Sequence, residues 1–447
     1  MSVSGSGSAR EAFFSLADHG ASLLRRGEEL FCHFAGERSD FVRFNHGKVR
    51  QAMTVEQGHV SLSLSSGAKR DVTTLALSRD PATDRARVEA AIVAMRASVA
   101  ALPEDPYHVV NREPSTSDRR EPGALASPEE AVSVVVDAAS GTDFVGLYSS
   151  GEVQRGLVSS LGHRHFHEVG NFQLDFSLYE RADKAVSRAF SSATWNAESV
   201  RAEIGSAREV LPYLARPEKK IPPGAYRAFL SPAALVEIVG MLNWGGVSEK
   251  AQRTKTSCLA KLVEGEERLS PKVTLRENTA EGLAPGFDEL GFVKPPRVDV
   301  VVEGKHRSAL AGPRTAREYG IAPNADGEET LRAADLAPGE LPEANALREL
   351  GTGIWVGNLW YLGFSDRMSA RLTGMTRFST FWVEDGEIVA PLAVMRFDDG
   401  LYRLLGSELV DLTQERKFLV STQSYERRSV ETYRLPGALV SAMTFTL

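Results

Sequence analysis

Apolar side chains recur at helical spacing near the start of the chain, over residues 9–27, and again from Thr83 onward. Thr83 is predicted as the N-cap of this second helix. A third helix is predicted from Ser127, where Pro128 suits the first turn, and a fourth over residues 197–212. The first half of the chain should therefore contain two pairs of helices.

Between these helices the apolar positions alternate more loosely, as they do in strands. Residues 29–37 alternate loosely, residues 40–77 predict a hairpin or meander, and residues 143–180 predict a second group of strands. The turn signals of the first group lie at residues 45–47, 57–58 and 66–67. The final block, residues 353–447, is again rich in predicted strands.

Proline and charge mark two breaks in this pattern. Residues 103–123, "PEDPYHVVNREPSTSDRREPG", predict a linker that runs over the surface. The basic, proline-rich "RPEKKIPPG" at 216–224 is the clearest predicted boundary, and it places domains at 1–215 and 220–447. Two domains also suit the length, because 447 residues exceed what one ordinary core holds.

Composition and charge exclude several classes of partner. The net charge of −7 offers no electrostatic footprint for nucleic acid, and no apolar run is long enough to predict a membrane span. The first residues show no basic segment followed by an apolar one, so no secretion signal is predicted. Only Cys32 and Cys258 are present, far apart, which favours a reducing compartment and hence the cytoplasm of a bacterial-type cell.

One carboxylate stands alone in an apolar helical stretch, "LVEIVGMLNWGGV" at residues 235–247. Glu237 lies among Val236, Ile238 and Met241, and a carboxylate there costs free energy unless it is paired, solvated or used. Its most ordinary explanation is a helix carboxylate at the rim of the core. A catalytic role needs partners, and no His, Cys or Asp lies within one turn of it.

Three histidines alternate in "HRHFHEVG", residues 163–170. On a strand, His163, His165 and His167 share one face, and imidazoles at that spacing can bind zinc or another divalent metal. The alternative is a polar, solvent-facing strand with Phe166 turned inward. Both interpretations stay open at this point.

The order of several short patterns resembles the TldD/PmbA family. In the C-terminal block these are a "GTG" strand at 351, a "TG" turn at Thr373–Gly374, Ser379 to Phe381, and "VEDGEIVAP" from 383. In the first half, "RFNHGKVRQAMTVEQGHVSLSL" and "SSLGHRHFHEVGNFQLDFSLYE" are similar to the family's strands. The resemblance implies an α+β fold, with an N-terminal antiparallel sheet covered by helices and a mainly β C-terminal domain.

That family consists of heterodimeric metallopeptidases, and the resemblance implies a role for the position of Glu237. The TldD-type subunit carries His-Glu-x-x-x-His on a locally distorted helix; two histidines and a later cysteine bind the metal, and the glutamate is general base. In the matching helix, near 231–243, Val236 and Met241 replace the histidines, Glu237 keeps the glutamate, and no cysteine follows residue 413. The chain therefore resembles the PmbA/TldE-type subunit, with no metal of its own and zinc expected in a TldD-type partner.

Three hypotheses follow from this resemblance and from the residues. The first is a non-catalytic subunit that pairs with a TldD-type chain, or with a second copy of itself, and acts on unfolded peptides or small proteins. The aromatic segments "GIWVGNLWYLGF" and "FSTFWVEDGEIVAP" are its predicted interface. The second is a stand-alone binding or scaffold protein. The third is an enzyme with a new metal site at His163, His165 and His167.

Overall fold

The computed structural model describes residues 6–181 and 183–446. Its first sheet has strands in the order β3-β2-β1-β5-β6-β4, and β7 pairs with another part of β6. Neighbouring strands are antiparallel except β4 and β6, which are parallel. The strands are β1 Glu28–Asn45, β2 Lys48–Ser66, β3 Lys69–Ala76, β4 Thr116–Glu121, β5 Asp143–Ser159, β6 Arg164–Arg181 and β7 Lys184–Ser192.

Helices cover one face of this sheet because every second side chain of its long strands points to that face. The register aligns even-numbered residues of β1, β5 and β6. At one end of the sheet these residues form a core with the first two helices, and at the other end they form a second core with the next two. The helices are α1 Ser6–Ser22, α2 Pro81–Ala101, α3 Pro128–Ala138 and α4 Ala197–Leu214.

The second half forms a larger mixed sheet. Five of its strands, β8, β13, β14, β16 and β18, pair in a closed ring among the described residues. The strands are β8 Gly224–Leu230, β9 Leu275–Glu277, β10 Val298–Val302, β11 Lys305–His306, β12 Ala333–Leu336, β13 Gly353–Asp366, β14 Arg371–Glu384, β15 Glu387–Pro391, β16 Arg396–Gly400, β17 Leu409–Val420 and β18 Thr432–Phe445.

Short helices fill the connections of the second half. They are α5 Pro232–Gly240, α6 Glu249–Arg253, α7 Ala260–Glu264, α8 Pro313–Tyr319 and α9 Ala346–Leu350, with 3₁₀ turns at Met241–Asn243 and Glu343–Asn345 and a π turn at Arg403–Ser407. No helix in the described ranges is long and apolar enough to cross a membrane. The predicted α+β fold class is confirmed. The boundaries 1–215 and 220–447 stay predictions.

Three local features differ from the sequence-based expectations. Part of the predicted linker 103–123 forms strand β4, whose mostly exposed polar side chains leave no apolar alternation to detect. The predicted turn at 57–58 lies within β2, where a side chain at Gly58 would approach the Phe34 ring to 3.2 Å. The N-cap of α2 is Asp80, whose carboxylate accepts a hydrogen bond from the Thr83 amide.

Candidate functional site

Helix α5 is held in place by its first residue and by its buried face. Ser231 is the N-cap: its hydroxyl accepts a hydrogen bond from the Ala234 amide (3.2 Å) and donates one to the Gly357 carbonyl (2.6 Å). Leu235, Ile238 and Val239 are buried in the core of the second half. The opposite face of the helix therefore points to a cleft.

This cleft lies between the two halves of the chain and has a volume of about 630 Å³. The first half contributes side chains from β6 and β7, and the second half contributes the end of α5, the loop after β17 and the start of β18. Its lining includes Asp175, Arg188, Val236, Glu237, Met241, Asn243, Arg332, Asn358, Leu362, Glu431 and Tyr433. That size suits a ligand or a short stretch of peptide.

Glu237 opens into this cleft with no protein group to neutralise it. Among the described residues, its carboxylate has neither a hydrogen-bond partner nor an ion pair. Although the side chain is exposed, the cleft walls displace much of the surrounding water, and this loss of solvation raises the pKa of Glu237. The site therefore holds a carboxylate that takes up a proton, or accepts a cation or donor, more readily than a free glutamate does.

Tyr433 lies beside Glu237 and is held by another carboxylate. Its hydroxyl donates a hydrogen bond to Glu431, which also accepts one from the Asn243 amide group (3.5 Å). Burial raises the pKa of Tyr433, and the negative charges of Glu431 and Glu237 raise it further. Tyr433 is therefore a hydrogen-bond donor with a fixed orientation at neutral pH.

The structure brings all three positions of the implied motif to the same cleft. Val236 is partly buried, and Met241 is buried in a 3₁₀ turn directly after α5, where the helix tightens. An isopropyl group, a thioether and one carboxylate do not make the donor set of a catalytic zinc site, which takes three nitrogen, oxygen or thiolate ligands and a water. These residues do not fit zinc, and they supply no metal-bound nucleophile.

The three histidines lie elsewhere, on the face of β6 that contacts the second half. They share one face, as predicted, but each is only 1% exposed, so the solvent-facing alternative is wrong. His163 Nε2 donates to the Asn111 carbonyl (2.8 Å), and His167 Nε2 donates to the Leu283 carbonyl (2.9 Å). His165 is hydrogen bonded to Ser115 and Ser117 through its two ring nitrogens.

Phe287 stacks on His165, with ring centroids 4.8 Å apart, and covers the row from the second half of the chain. Burial lowers the pKa of both His165 and His167 to about 4, so both rings are neutral at pH 7. Within the described residues, no group of three or more His, Cys, Asp and Glu side chains is arranged to hold a metal ion. In this structure the row contacts the second half through Leu283 and Phe287.

Two cleft residues were not among the sequence candidates. Asp175 comes from β6 and Tyr433 from β18, more than fifty residues from Glu237 on either side. Burial raises the pKa of Asp175. The local signal for Asp175 is weak, because it is a single carboxylate in the alternating "FQLDFSL". Only the packing of the first sheet against the second shows that these groups face one cleft.

This architecture is also found in known proteins. A family model described as the PmbA/TldA metallopeptidase C-terminal domain matches residues 223–447. No curated protein matches the sequence significantly. Among solved structures, TldE from Thermococcus kodakarensis is 16% identical, with a TM-score of 0.80 over 98% of this chain and 100% of that one.

Two further solved structures have the same fold. A candidate modulator of a DNA gyrase from Thermotoga maritima is 17% identical, with a TM-score of 0.77 over 97% of this chain and 100% of that one. A candidate modulator of DNA gyrase from Bacteroides thetaiotaomicron is 16% identical, with a TM-score of 0.77 over 99% of each chain. At these identities the structures establish the fold, while the family model covers half of the chain, and on that ground the chain belongs to the TldD/PmbA metallopeptidase family.

Proposed function

We propose that this chain is the subunit without its own metal centre in a two-subunit peptidase of the TldD/PmbA family. The observation that carries the proposal is the cleft at α5, where Glu237 opens into a peptide-sized space between Val236 and Met241. Zinc and the activated water belong to the TldD-type partner. The cleft in this chain contributes a wall of the space in which an unfolded peptide is held.

An open strand edge supports binding of extended peptides. Strand β2 pairs with β1 along residues 48–66, but β3 covers only residues 59–66 of its other edge. Among the described residues, the amides and carbonyls of residues 48–57 on that side have no strand partner. An extended peptide can add to such an edge through main-chain hydrogen bonds, which suits a protein that accepts many unfolded sequences.

An exposed aromatic surface supports a partner subunit. Midway along the β13–β14 hairpin, where the strand pairing is irregular, Trp360 is 51% exposed and Tyr361 is 78% exposed, and Met375 lies opposite Trp360. Aromatic side chains are enriched at the centres of interfaces. In contrast, Ile354 and Phe381 of the two predicted interface segments are buried within the chain and belong to its own core.

The same hairpin borders the cleft, because Asn358 and Leu362 of β13 line it. A subunit seated on Trp360 and Tyr361 would therefore close one side of the space that Glu237 faces. We propose that the partner is a TldD-type chain, and that a second copy of this chain is the alternative occupant.

The proposal is tested by mixing the purified chain with a TldD-type subunit and measuring mass by light scattering and cleavage of unfolded peptides. The chain alone should not cleave, with or without zinc, whereas the mixture should form a complex of both chains that cleaves. The double substitution Trp360→Asp and Tyr361→Asp should weaken the complex at least tenfold, because it places charge in a desolvated interface.

Tyr425→Asp is the control, since Tyr425 is an aromatic residue that is 87% exposed on the loop between β17 and β18. Cleavage by the chain alone that a chelator abolishes would contradict the proposal and favour the histidine site. A chain that stays monomeric with every TldD-type subunit would favour the scaffold hypothesis. A homodimer that ignores such subunits would assign the hairpin to a second copy of this chain.

A further inference from the structure

A second cavity, of about 410 Å³, lies between the first sheet and the second half of the chain, and shares no lining residue with the Glu237 cleft. Strand β3 and the segment after α2 form one side of it. Leu290 and Arg314, the latter in the first turn of α8, form the other side. Its lining is Arg70, Val72, Leu102, Pro103, Asp105, Tyr107, His108, Val109, Leu290 and Arg314.

Arg70, His108 and Arg314 line this cavity together with several apolar side chains. Val72, Leu102, Pro103, Val109 and Leu290 make up the apolar part. Arg314 forms an ion pair with Asp105 and lies 5.5 Å from the centre of the Tyr107 ring. Asp105 is fixed in turn, because its carboxylate accepts a hydrogen bond from the Tyr107 amide (2.9 Å). Arg314 is thus already neutralised by the protein.

Arg70 is not neutralised in this way. Its Nε donates to the Ser63 hydroxyl (2.6 Å), and within the described part of the chain no carboxylate lies at ion-pair distance from its guanidinium. Burial lowers the pKa of Arg70, although the charges of Glu289 and Asp288 oppose the effect from farther away. A half-buried cation without a contacting anion is costly, and an anionic ligand would offset that cost.

His108 supplies a second unsatisfied group in the same wall. Its Nε2 is buried and has no hydrogen-bond partner among the described residues. Burial lowers the pKa of His108, and the positive charge of Arg70 lowers it further, so the ring is neutral at pH 7. Because this nitrogen is shielded from solvent, His108 is a neutral part of the wall, and the Arg70 guanidinium supplies a planar fork of donors for an oxyanion.

We propose that this cavity is a binding site for a small organic anion, whose carboxylate or phosphate group contacts Arg70 and whose apolar part lies against Val72, Leu102 and Leu290. A guanidinium fork matches either group, and the volume fits a small metabolite. Since Arg70 and Leu290 come from different halves of the chain, the bound anion would also join the two halves.

The test is calorimetric titration of the full chain with benzoate and with phenyl phosphate, which carry the two candidate anionic groups on one apolar ring. Benzamide is the neutral isostere, and inorganic phosphate is the anion without an apolar part. Benzoate, phenyl phosphate or both should bind about tenfold or more tightly than either control, because a site built around a buried charge rejects a neutral analogue. Comparison of the two organic anions identifies the preferred group.

Substitutions distinguish binding in this cavity from non-specific attraction of anions to positive charge. Arg70→Gln should weaken binding about tenfold or more, whereas Arg70→Lys, which keeps the charge, should lose less. Val72→Glu adds a negative charge at a half-exposed wall position without removing a buried group, and should also abolish binding. Arg50→Gln, an exposed arginine on the neighbouring strand β2, should bind like the unchanged chain.

The proposal would be overturned if benzamide bound as tightly as the organic anions. It would also be overturned if the Arg70→Gln and Val72→Glu variants bound the anions as tightly as the unchanged chain. The absence of heat with every ligand would overturn it as well. None of these results depends on peptidase activity, so the outcome is independent of the function proposed for the Glu237 cleft.

Discussion

Glu237 follows Val236 and precedes Met241 by four residues, and the family resemblance implies that these two apolar residues replace metal ligands of a TldD-type subunit. Neither the Val236 isopropyl group nor the Met241 thioether belongs to the donor set of a catalytic zinc site, so these two residues would hold no metal-bound water beside the carboxylate. Its raised pKa comes from partial desolvation alone, and this disfavours the charged form in the folded state. At the scale of single residues, therefore, Glu237 makes no hydrogen bond or ion pair with the part of the chain that the structure describes.

Glu237→Gln should change the free energy of unfolding at pH 7 by less than about 0.5 kcal/mol, or stabilise the chain slightly. The reason is that the substitution removes a charge that the cleft solvates poorly and breaks no hydrogen bond. Urea unfolding followed by circular dichroism measures the change. Glu431→Gln is the control, since Glu431 accepts the Tyr433 hydroxyl, and it should cost about 1 kcal/mol. A loss of about 1–3 kcal/mol for Glu237→Gln would instead reveal a structural hydrogen bond.

At the scale of elements, strand β6 is buried on both faces. Its even-numbered residues, among them Phe166 and Phe172, pack under the helices, while its odd-numbered residues contact the second half. His165 and His167 are accordingly neutral and hydrogen bonded inside an interface. Protonation of either ring would place an unpaired charge there.

Acidification from pH 6.5 to about 4 should destabilise the fold through these histidines. Their folded pKa values are depressed to about 4, so the unfolded chain binds more protons below its own pKa of about 6.5, and stability falls as the pH falls. Each ring contributes at most roughly 3 kcal/mol. Asp288, with its pKa raised by burial to about 6, acts in the opposite direction, because its neutral form is favoured in the fold.

Urea midpoints measured every half pH unit give the slope. The double variant His165→Gln and His167→Gln should show a shallower fall below pH 6.5, relative to its own value at pH 7.5. A slope that does not change in this variant would mean that other groups control acid stability.

The histidine row and the cleft show which features of the fold and the site can be predicted from local sequence. The shared face of His163, His165 and His167 was predictable because the side-chain period of a strand is local. Their burial was not, because the cover comes from Leu283 and Phe287, more than a hundred residues away. For the same reason Val236, Glu237 and Met241 could be assigned from the sequence to one helical stretch, while Asp175 and Tyr433, which also line the cleft, were missed.

At the scale of the whole molecule, the loop between β17 and β18 ties the two halves together. Arg428 of this loop is only 2% exposed and lies against the first sheet. Its guanidinium donates to the carbonyls of Gly151 (3.3 Å) and Asn171 (3.1 Å), and its amide donates to Glu37 (2.9 Å). Burial lowers the pKa of Arg428 to about 10, so the side chain is still charged at pH 7.

Arg428→Ala should lower the free energy of unfolding by about 3–5 kcal/mol, because it leaves a cavity and several buried carbonyls without donors. Arg427→Ala, at an exposed position one residue away, should change it by less than about 0.5 kcal/mol. Chemical unfolding with two probes, one in each half, tests whether the variant also uncouples the two transitions. Equal effects of the two substitutions would mean that Arg428 does not join the halves.

The closed ring of strands in the second half has a consequence for how the protein is made. Strand β18 closes the ring and pairs with β8, β12, β16 and β17, yet it follows all of them in the sequence. On the ribosome, the first sheet is complete once β7 has emerged, and it can fold while synthesis continues. The ring must wait for β18, so the second half, whose Leu283 and Phe287 cover the odd-numbered face of β6, can complete its fold only at the end of synthesis. The interval before that point is when the nascent chain is most exposed to aggregation and most dependent on chaperones.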